Sequence, residues 1–106
     1  TFAPMVDISR DARWGRSMEG AGEDPWYGSQ VAKARVEGFQ GTDYNDRNTV
    51  LACAKHFAAY GAAVAGKDYA EADISEHTLL QVYLPPFRAA VEAGVGPFMD
   101  AFNEID

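Results

Sequence analysis

Residues 49–57 read TVLACAKHF, and this stretch decides the fold prediction. Its first six residues, 49–54, are nearly all apolar instead of alternating with polar ones. Such a run is typical of a parallel strand that is covered on both faces. Lys55 and His56 follow at once, so a cation and an imidazole stand at the carboxyl end of the predicted strand. In barrel folds this is the edge at which functional groups collect.

Two elements are predicted before this strand. Residues 3–8 form a short apolar run, bounded by Pro4 and by a polar loop, that predicts a buried strand. Asp24 followed by Pro25 is typical of an N-cap and a first helical residue. Apolar residues recur at helical spacing from there to Gly41, so we expect a helix of about four turns.

Two more elements are predicted after it. Ser75 is a candidate N-cap for a second helical stretch. Its apolar stripe continues to Gly94, with a kink or a break into two helices at Pro85 and Pro86. Residues 95–102 then supply a third apolar, strand-like run.

The order strand, helix, strand, helix, strand predicts an α/β fold with a parallel sheet. An open doubly wound sheet and a closed barrel share this order, and the long loop after the first strand favours the barrel. We expect part of a (β/α)8 TIM-type barrel, with about three strands and two to three helices. A complete barrel has roughly 250 residues, whereas this chain has 106. Residues 1–106 are therefore predicted to be a partial barrel domain whose two ends are internal to a longer protein.

Composition bears on the partners of the protein. A net charge of −7 with nine Lys and Arg residues argues against nucleic acid as a partner. The longest weakly polar run, residues 57–66, is too short to span a bilayer, so no membrane partner is predicted. Cys53 lies between alanines, as a buried structural thiol would. No metal-ligand spacing or phosphate-binding glycine loop is visible, and no cofactor is predicted.

The loop that follows the first predicted strand concentrates arginine. Arg10, Arg13 and Arg16 lie close to Trp14, a set that can hydrogen-bond ring hydroxyls and stack on a sugar face. A loop in which the arginines form salt bridges that anchor neighbouring acidic residues such as Glu19 is the structural alternative. That alternative is favoured for Arg10 and Arg13, while the two interpretations are even for Arg16.

Lys55 and His56 make the sharper prediction. Adjacent strand residues point to opposite faces, so both can line one pocket only where the strand is irregular. We therefore expect the backbone of residues 55–57 to depart from strand geometry. The alternative is that His56 packs against a helix and Lys55 alone faces the pocket. His77, early in a helix, is expected to be a surface residue.

Two carboxylates stand at predicted strand ends. Cleavage of glycosides uses a pair of carboxylates, and on position alone either Asp7 or Asp100 could act in catalysis. An aspartate near the end of a parallel strand is as often a cap for the loop that follows. Both interpretations stay open from the residues alone.

Four short sequence motifs carry a family resemblance. They read RDARWGR from Arg10, GEDP from Gly22, KHF from Lys55 and YLPPF from Tyr83. The chain resembles the amino-terminal barrel of family 3 glycoside hydrolases, in which corresponding motifs occur in the same order. The match covers nearly the whole chain, and its specificity lies in the combination of the motifs.

The resemblance implies roles for individual residues. It implies that Arg16, Lys55 and His56 bind the sugar whose bond is cut, and that Phe102 is an aromatic residue of the pocket. Two positions depart from the family pattern. Ala12 replaces a usual proline and should loosen its loop, while Asp100 places a carboxylate where relatives have a small or hydroxyl residue.

The resemblance also implies a function for the complete protein. It implies a retaining, exo-acting β-glycosidase, most specifically a β-glucosidase, in the periplasm or outside the cell. The expected partners are a β-glucoside or related oligosaccharide, the rest of the barrel and a second domain. In the family the nucleophile lies on a later strand and the acid/base in a second domain or loop. No catalytic carboxylate is therefore predicted within this chain, and both are expected beyond Asp106.

Other functions remain open at this point. Lys55, next to an alanine-rich strand, could form a Schiff base in an aldolase-like barrel. A sugar-binding barrel without catalysis is a non-enzymatic alternative, and phosphorylase variants are a further one. The sequence does not distinguish glucose from xylose or N-acetylglucosamine as the bound sugar.

Overall fold

A computed structural model describes residues 1–105 of the chain as a small α/β unit. Three short 3-10 turns lie in the loops, and a π-helical turn joins the second and third helices. The elements in chain order are α1 (Pro25–Gln40), β1 (Ala54–Phe57), α2 (Glu76–Thr78), the π-helical turn (Leu79–Tyr83), α3 (Pro85–Glu92) and β2 (Phe98–Asp100); the 3-10 turns are Ser17–Glu19, Tyr60–Ala62 and Val64–Gly66.

The sheet is parallel, as predicted. Strands β1 and β2 pair directly, with Ala54 opposite Phe98. On the other side of β1, an isolated parallel bridge joins Met5 to Lys55. The predicted first strand, residues 3–8, is thus reduced to one bridge, because Pro4 has no N–H to donate to a ladder.

The prediction of a second strand at residues 49–54 is wrong in its position. β1 begins only at Ala54 and runs to Phe57. Two of the backbone N–H groups before it are bound to α1. Val50 N–H donates to the Phe39 carbonyl at 2.9 Å, and Ala52 N–H donates to the Gln40 side chain at 3.1 Å. These donors fasten the chain to the end of α1 instead of to a neighbouring strand.

The helix boundaries follow the predicted caps. The Asp24 carboxylate accepts a hydrogen bond from Trp26 N–H at 2.8 Å, and Pro25 is the first residue of α1. Gly41 follows the helix with a φ of 58°, which glycine adopts without strain. Ser75 caps α2 by accepting from Thr78 N–H at 3.1 Å. The predicted break is present, since α3 begins as a separate helix at Pro85.

The core lies between the sheet and the two longer helices. Its members are small or branched on the sheet and on α1, which lets α3 approach closely. Cys53 is buried, as predicted. The cluster consists of Val6, Ala32, Val36, Ala52, Ala54, Phe87 and Ala90.

One buried amide, Gln40, fastens the amino ends of both strands to α1. Its Nε2 donates to the Gly94 carbonyl at 2.9 Å. Its Oε1 accepts from Ala52 N–H and Gly96 N–H, each at 3.1 Å. The opposite edge of the sheet, where the strands end, is thereby held in place for the polar residues described next.

Candidate sugar-binding site

The candidate site begins at the carboxyl end of β1. The pairing of β1 with β2 is irregular between Lys55 and Phe57, and the Lys55-His56 and Phe57-Ala58 peptide bonds are cis. The prediction that this backbone departs from strand geometry is confirmed. His56 is 3% exposed and Lys55 is half-buried.

His56 is held by a carboxylate from the first extended segment. Asp7 Oδ2 lies 2.9 Å from His56 Nδ1 and accepts a hydrogen bond from the backbone N–H of His56 at 3.0 Å. The imidazole and the Tyr60 ring form a T-shaped pair at a centroid distance of 4.9 Å. Burial raises the pKa of Asp7, and the hydrogen bonds to His56 oppose that rise. The structure does not support the alternative in which His56 packs against a helix, because the side chains that contact it, from Asp7, Arg16 and Tyr60, lie outside α1, α2 and α3.

Arg16 reaches His56 from the preceding loop. Its Nη1 lies 3.2 Å from His56 Nε2, while Nε and Nη2 bind the two Glu19 oxygens at 2.5 and 2.8 Å. The guanidinium carbon stands 5.9 Å from the centre of the Tyr60 ring. The hydrogen bonds to Glu19 raise the pKa of Arg16, so the guanidinium stays charged.

Glu19 binds Arg16 next to the end of β1. Hydrogen bonds from Arg16 lower the pKa of the Glu19 carboxyl, and the positive charge of the nearby Lys55 acts in the same direction. Arg16 thus joins Glu19 to His56, about 40 residues further along the chain, and Lys55 is the neighbour of His56 in β1. The arrangement presents charged donors and an imidazole side by side, a combination that suits the hydroxyl groups of a sugar.

Trp14 does not offer a face to a ligand, which corrects the sequence analysis. It is 2% exposed, and its Nε1–H donates to Asp68 at 3.0 Å. Its ring and the Tyr60 ring form a T-shaped pair at 5.2 Å between centroids. Burial and the neighbouring Asp68 raise the pKa of Tyr60 to about 12. Trp14 therefore fastens one loop to the next beneath the candidate site.

The other two arginines of the loop follow the salt-bridge alternative or remain at the surface. Arg13 binds Asp11 through Nε at 3.0 Å and Nη2 at 2.7 Å, and these contacts lower the pKa of Asp11 to about 2. Arg10 is exposed. Neither contacts the group around Glu19. His77 is exposed, as predicted.

The third part of the candidate site follows β2. Phe102 is 70% exposed and lies 5.3 Å from Tyr69 and 6.5 Å from Tyr60, measured between ring centres. Tyr60 thus stands between Phe102 and the group that contains Arg16. Asp100 is exposed at the end of β2.

Three residues of the site have roles that the sequence does not predict. The sequence predicts Glu19 only as a loop anchor, and it does not predict Tyr60 or Asp68 as residues of the site. Tyr60 is the one large side chain in the otherwise small-sided run AAYGAAVAG, residues 58–66. A lone aromatic among small residues was the signal that could have identified it, since the small neighbours let the loop fold closely around the ring.

Within residues 1–105, no group of three or more His, Cys, Asp or Glu residues could hold a metal ion. No helix in the same part of the chain is long and apolar enough to cross a membrane.

Comparison with known proteins defines the class of this chain. The family model described as the glycosyl hydrolase family 3 N-terminal domain matches residues 1–106. The chain belongs to this family, as the sequence motifs had indicated.

Two relatives and one solved structure show which members of the family this chain is similar to. The chain is 46% identical to a periplasmic β-glucosidase of Salmonella typhimurium, over all of this chain and 14% of that protein. It is 44% identical to a β-xylosidase of Formosa agariphila, over 99% of this chain and 15% of the relative. A solved β-glucosidase of Listeria innocua in complex with glucose superposes with a TM-score of 0.96 at 50% identity, covering all of this chain and 15% of its own. The chain therefore spans 14–15% of the length of these relatives.

Proposed function

We propose that this chain is part of the (β/α)8 barrel of an enzyme that hydrolyses β-glycosides, most specifically a retaining, exo-acting β-glucosidase. Arg16, Lys55 and His56 bind the sugar at the non-reducing end, and Phe102 forms an aromatic side of the same pocket. The nucleophile and the acid/base lie outside residues 1–106. The rest of the barrel and a second domain complete the site.

The contact between Arg16 and His56, at 3.2 Å, is the observation that carries this proposal. It joins the loop after the first extended segment to the end of β1, where Lys55 is the residue before His56. Hydrogen bonds from such groups to ring hydroxyls can strengthen as the ring distorts toward the oxocarbenium-like transition state. The chain thus contributes the residues that position the sugar, separate from those that break the bond.

The relatives support the substrate class and the location. One relative is named as a periplasmic β-glucosidase, and a solved structure of another β-glucosidase holds glucose. We extend both features, a β-glucoside substrate and a periplasmic location, to the complete protein. The identity of 44% to a β-xylosidase favours a xyloside as the second candidate substrate.

The test compares two chromogenic substrates on the complete enzyme. We expect faster release of 4-nitrophenol from the β-D-glucoside than from the β-D-xyloside, and the opposite order would select the second candidate. Proton NMR of the first product should show the β-anomer, as retention requires. Absence of hydrolysis of either substrate would contradict the proposed function.

The Schiff-base alternative makes a different chemical prediction. A lysine that forms a Schiff base becomes covalently modified when a carbonyl substrate and borohydride are added together. We expect no such modification of Lys55 by mass spectrometry. A stable adduct on Lys55 would revive the aldolase-like function, which the family membership of the chain does not favour.

A further inference from the structure

We propose that Asp7 is a positioning residue that acts through His56, fixing the neutral imidazole with its hydrogen on Nδ1 and its lone pair on Nε2. The inference rests on the proposed function, because it assigns a hydrogen-bond acceptor to the sugar site described above. It gives Asp7 a role other than the catalytic carboxylate or loop cap considered from the sequence.

The contacts of Asp7 are confined to one residue. Its Oδ2 receives two donors from His56, the backbone N–H at 3.0 Å and the ring Nδ1 at 2.9 Å. Its Oδ1 is buried and has no hydrogen-bond partner within residues 1–105. The two side chains are 1% and 4% accessible, so water does not compete for these contacts. Every hydrogen bond of the Asp7 side chain therefore serves His56.

Arg16 determines the state of the other ring nitrogen. A guanidinium has only donors and stays protonated, so the Arg16 Nη1 that lies 3.2 Å from His56 Nε2 must donate to it. Nε2 consequently carries a lone pair, and the hydrogen of the neutral ring is on Nδ1. That hydrogen points at Asp7 Oδ2, which accepts it. The tautomer is assigned from these partners, and both contacts require the same one.

The other tautomer would lose both contacts. With the hydrogen on Nε2, that N–H would face an Arg16 N–H, and the Nδ1 lone pair would face a carboxylate oxygen. The backbone N–H of His56 adds a further constraint, because it requires an acceptor at the Oδ2 position. An asparagine at position 7 would therefore keep its amide oxygen there and its NH2 group away from the ring.

The consequence for ligand binding is chemical. A group that meets Nε2 must be a hydrogen-bond donor, as a sugar hydroxyl is and an ether oxygen is not. In the free site Arg16 donates a hydrogen bond to Nε2 of His56. In the occupied site a sugar hydroxyl donates to Nε2 together with Arg16 or in its place. Asp7 thereby selects for a free hydroxyl without touching the sugar.

A double-mutant cycle in the complete enzyme tests the inference. Asp7→Ala and His56→Ala are each expected to lower kcat/KM for 4-nitrophenyl β-D-glucoside by about 10- to 100-fold. The double variant should lose no more than His56→Ala alone, because Asp7 acts through the ring. Asp7→Asn should stay within about tenfold of the wild type, as it keeps the acceptor. Asp11→Asn is the matched control and should retain wild-type kinetics, because Asp11 is a half-buried aspartate of the same loop whose carboxylate binds Arg13 away from His56.

Additive losses in the double variant, or an Asp7→Ala protein with wild-type kinetics, would overturn the inference. Isotopic labelling provides a test that needs neither activity nor a folded Asp7→Ala protein. Nitrogen-15 NMR of histidine-labelled wild-type enzyme should show a neutral Nδ1–H ring that disappears in His56→Ala. A ring protonated on Nε2 would refute the assignment even if the enzyme cleaves glucosides. A wild-type enzyme inactive on glycosides, with the Nδ1–H signal present, would instead refute the proposed function alone.

Discussion

Replacing Arg16 with alanine should lower the activity of the complete enzyme far more than its stability. The ion pair with Glu19 joins side chains that are 29% and 40% accessible, so solvent screening limits its contribution to about 0.2–1 kcal/mol. A charge-assisted contact to the sugar in the transition state contributes about 2–4 kcal/mol. At a factor of ten per 1.36 kcal/mol, kcat/KM should fall about 30- to 900-fold.

The assay measures kcat/KM on 4-nitrophenyl β-D-glucoside together with the melting temperature. Arg13→Ala is the matched control, because Arg13 lies in the same loop, is exposed and pairs with Asp11 away from the site. Arg16→Lys should give an intermediate loss, since an ammonium keeps the charge but not the two parallel bonds to Glu19. Wild-type kinetics in Arg16→Ala, combined with a lowered melting temperature, would refute the reasoning and make Arg16 a structural residue.

Four further outcomes are expected. Lys55→Ala should lower kcat/KM by a factor that corresponds to the loss of about 2–4 kcal/mol of transition-state stabilisation, while Lys33→Ala on α1 should leave kcat/KM unchanged. Equal losses of kcat/KM in the two variants would argue against a contact between Lys55 and the sugar. Asp7→Asn should not lower the melting temperature at pH 7. Burial raises the pKa of the Asp7 carboxyl above its ordinary value of 3.8. The protonated carboxyl therefore stabilises the fold below pH 3.8, and this stabilisation is lost as the pH rises through the pKa of the folded state. A clear fall in melting temperature at pH 7 would contradict this sign. Gln40→Leu should reduce the free energy of unfolding by about 3 kcal/mol, because three backbone groups lose their partner, whereas the exposed Gln81→Leu should change it little; denaturant midpoints would show the difference. The isolated chain of 106 residues should associate in size-exclusion chromatography, since its sheet edges are open, and should release no aglycone; a monodisperse, active monomer would disprove both expectations.

Local signals were sufficient to predict the helices. The cap at Asp24, the proline at position 25 and the glycine at position 41 are contacts within a few residues, and α1 has the bounds that they indicate. Ser75 and Pro85 likewise mark the starts of α2 and α3. Caps and prolines act on the adjacent backbone, so their effect is readable without the tertiary structure.

The strands depended on contacts that the sequence does not display. β1 begins late because α1 captures the N–H groups of Val50 and Ala52, a contact between elements that sequence periodicity cannot show. The burial of Trp14 depends on Asp68, more than 50 residues away in the chain. The residue types of the site could be predicted from the strand ends and from the family motifs. The contacts between these residues, and the central position of Tyr60, could not be predicted from the sequence.

The two ends of the sheet should tolerate different substitutions, because Gln40 contacts only one of them. At the amino ends of the strands an uncharged amide holds the backbone, and at the carboxyl ends ionised groups meet around His56. Substitutions at the first end would change how firmly the strands are anchored without altering the charges that a ligand meets. Variants for thermal robustness are therefore best sought around Gln40, and variants with altered sugar preference around Glu19 and Tyr60, because the length of β1 separates the two sets of contacts.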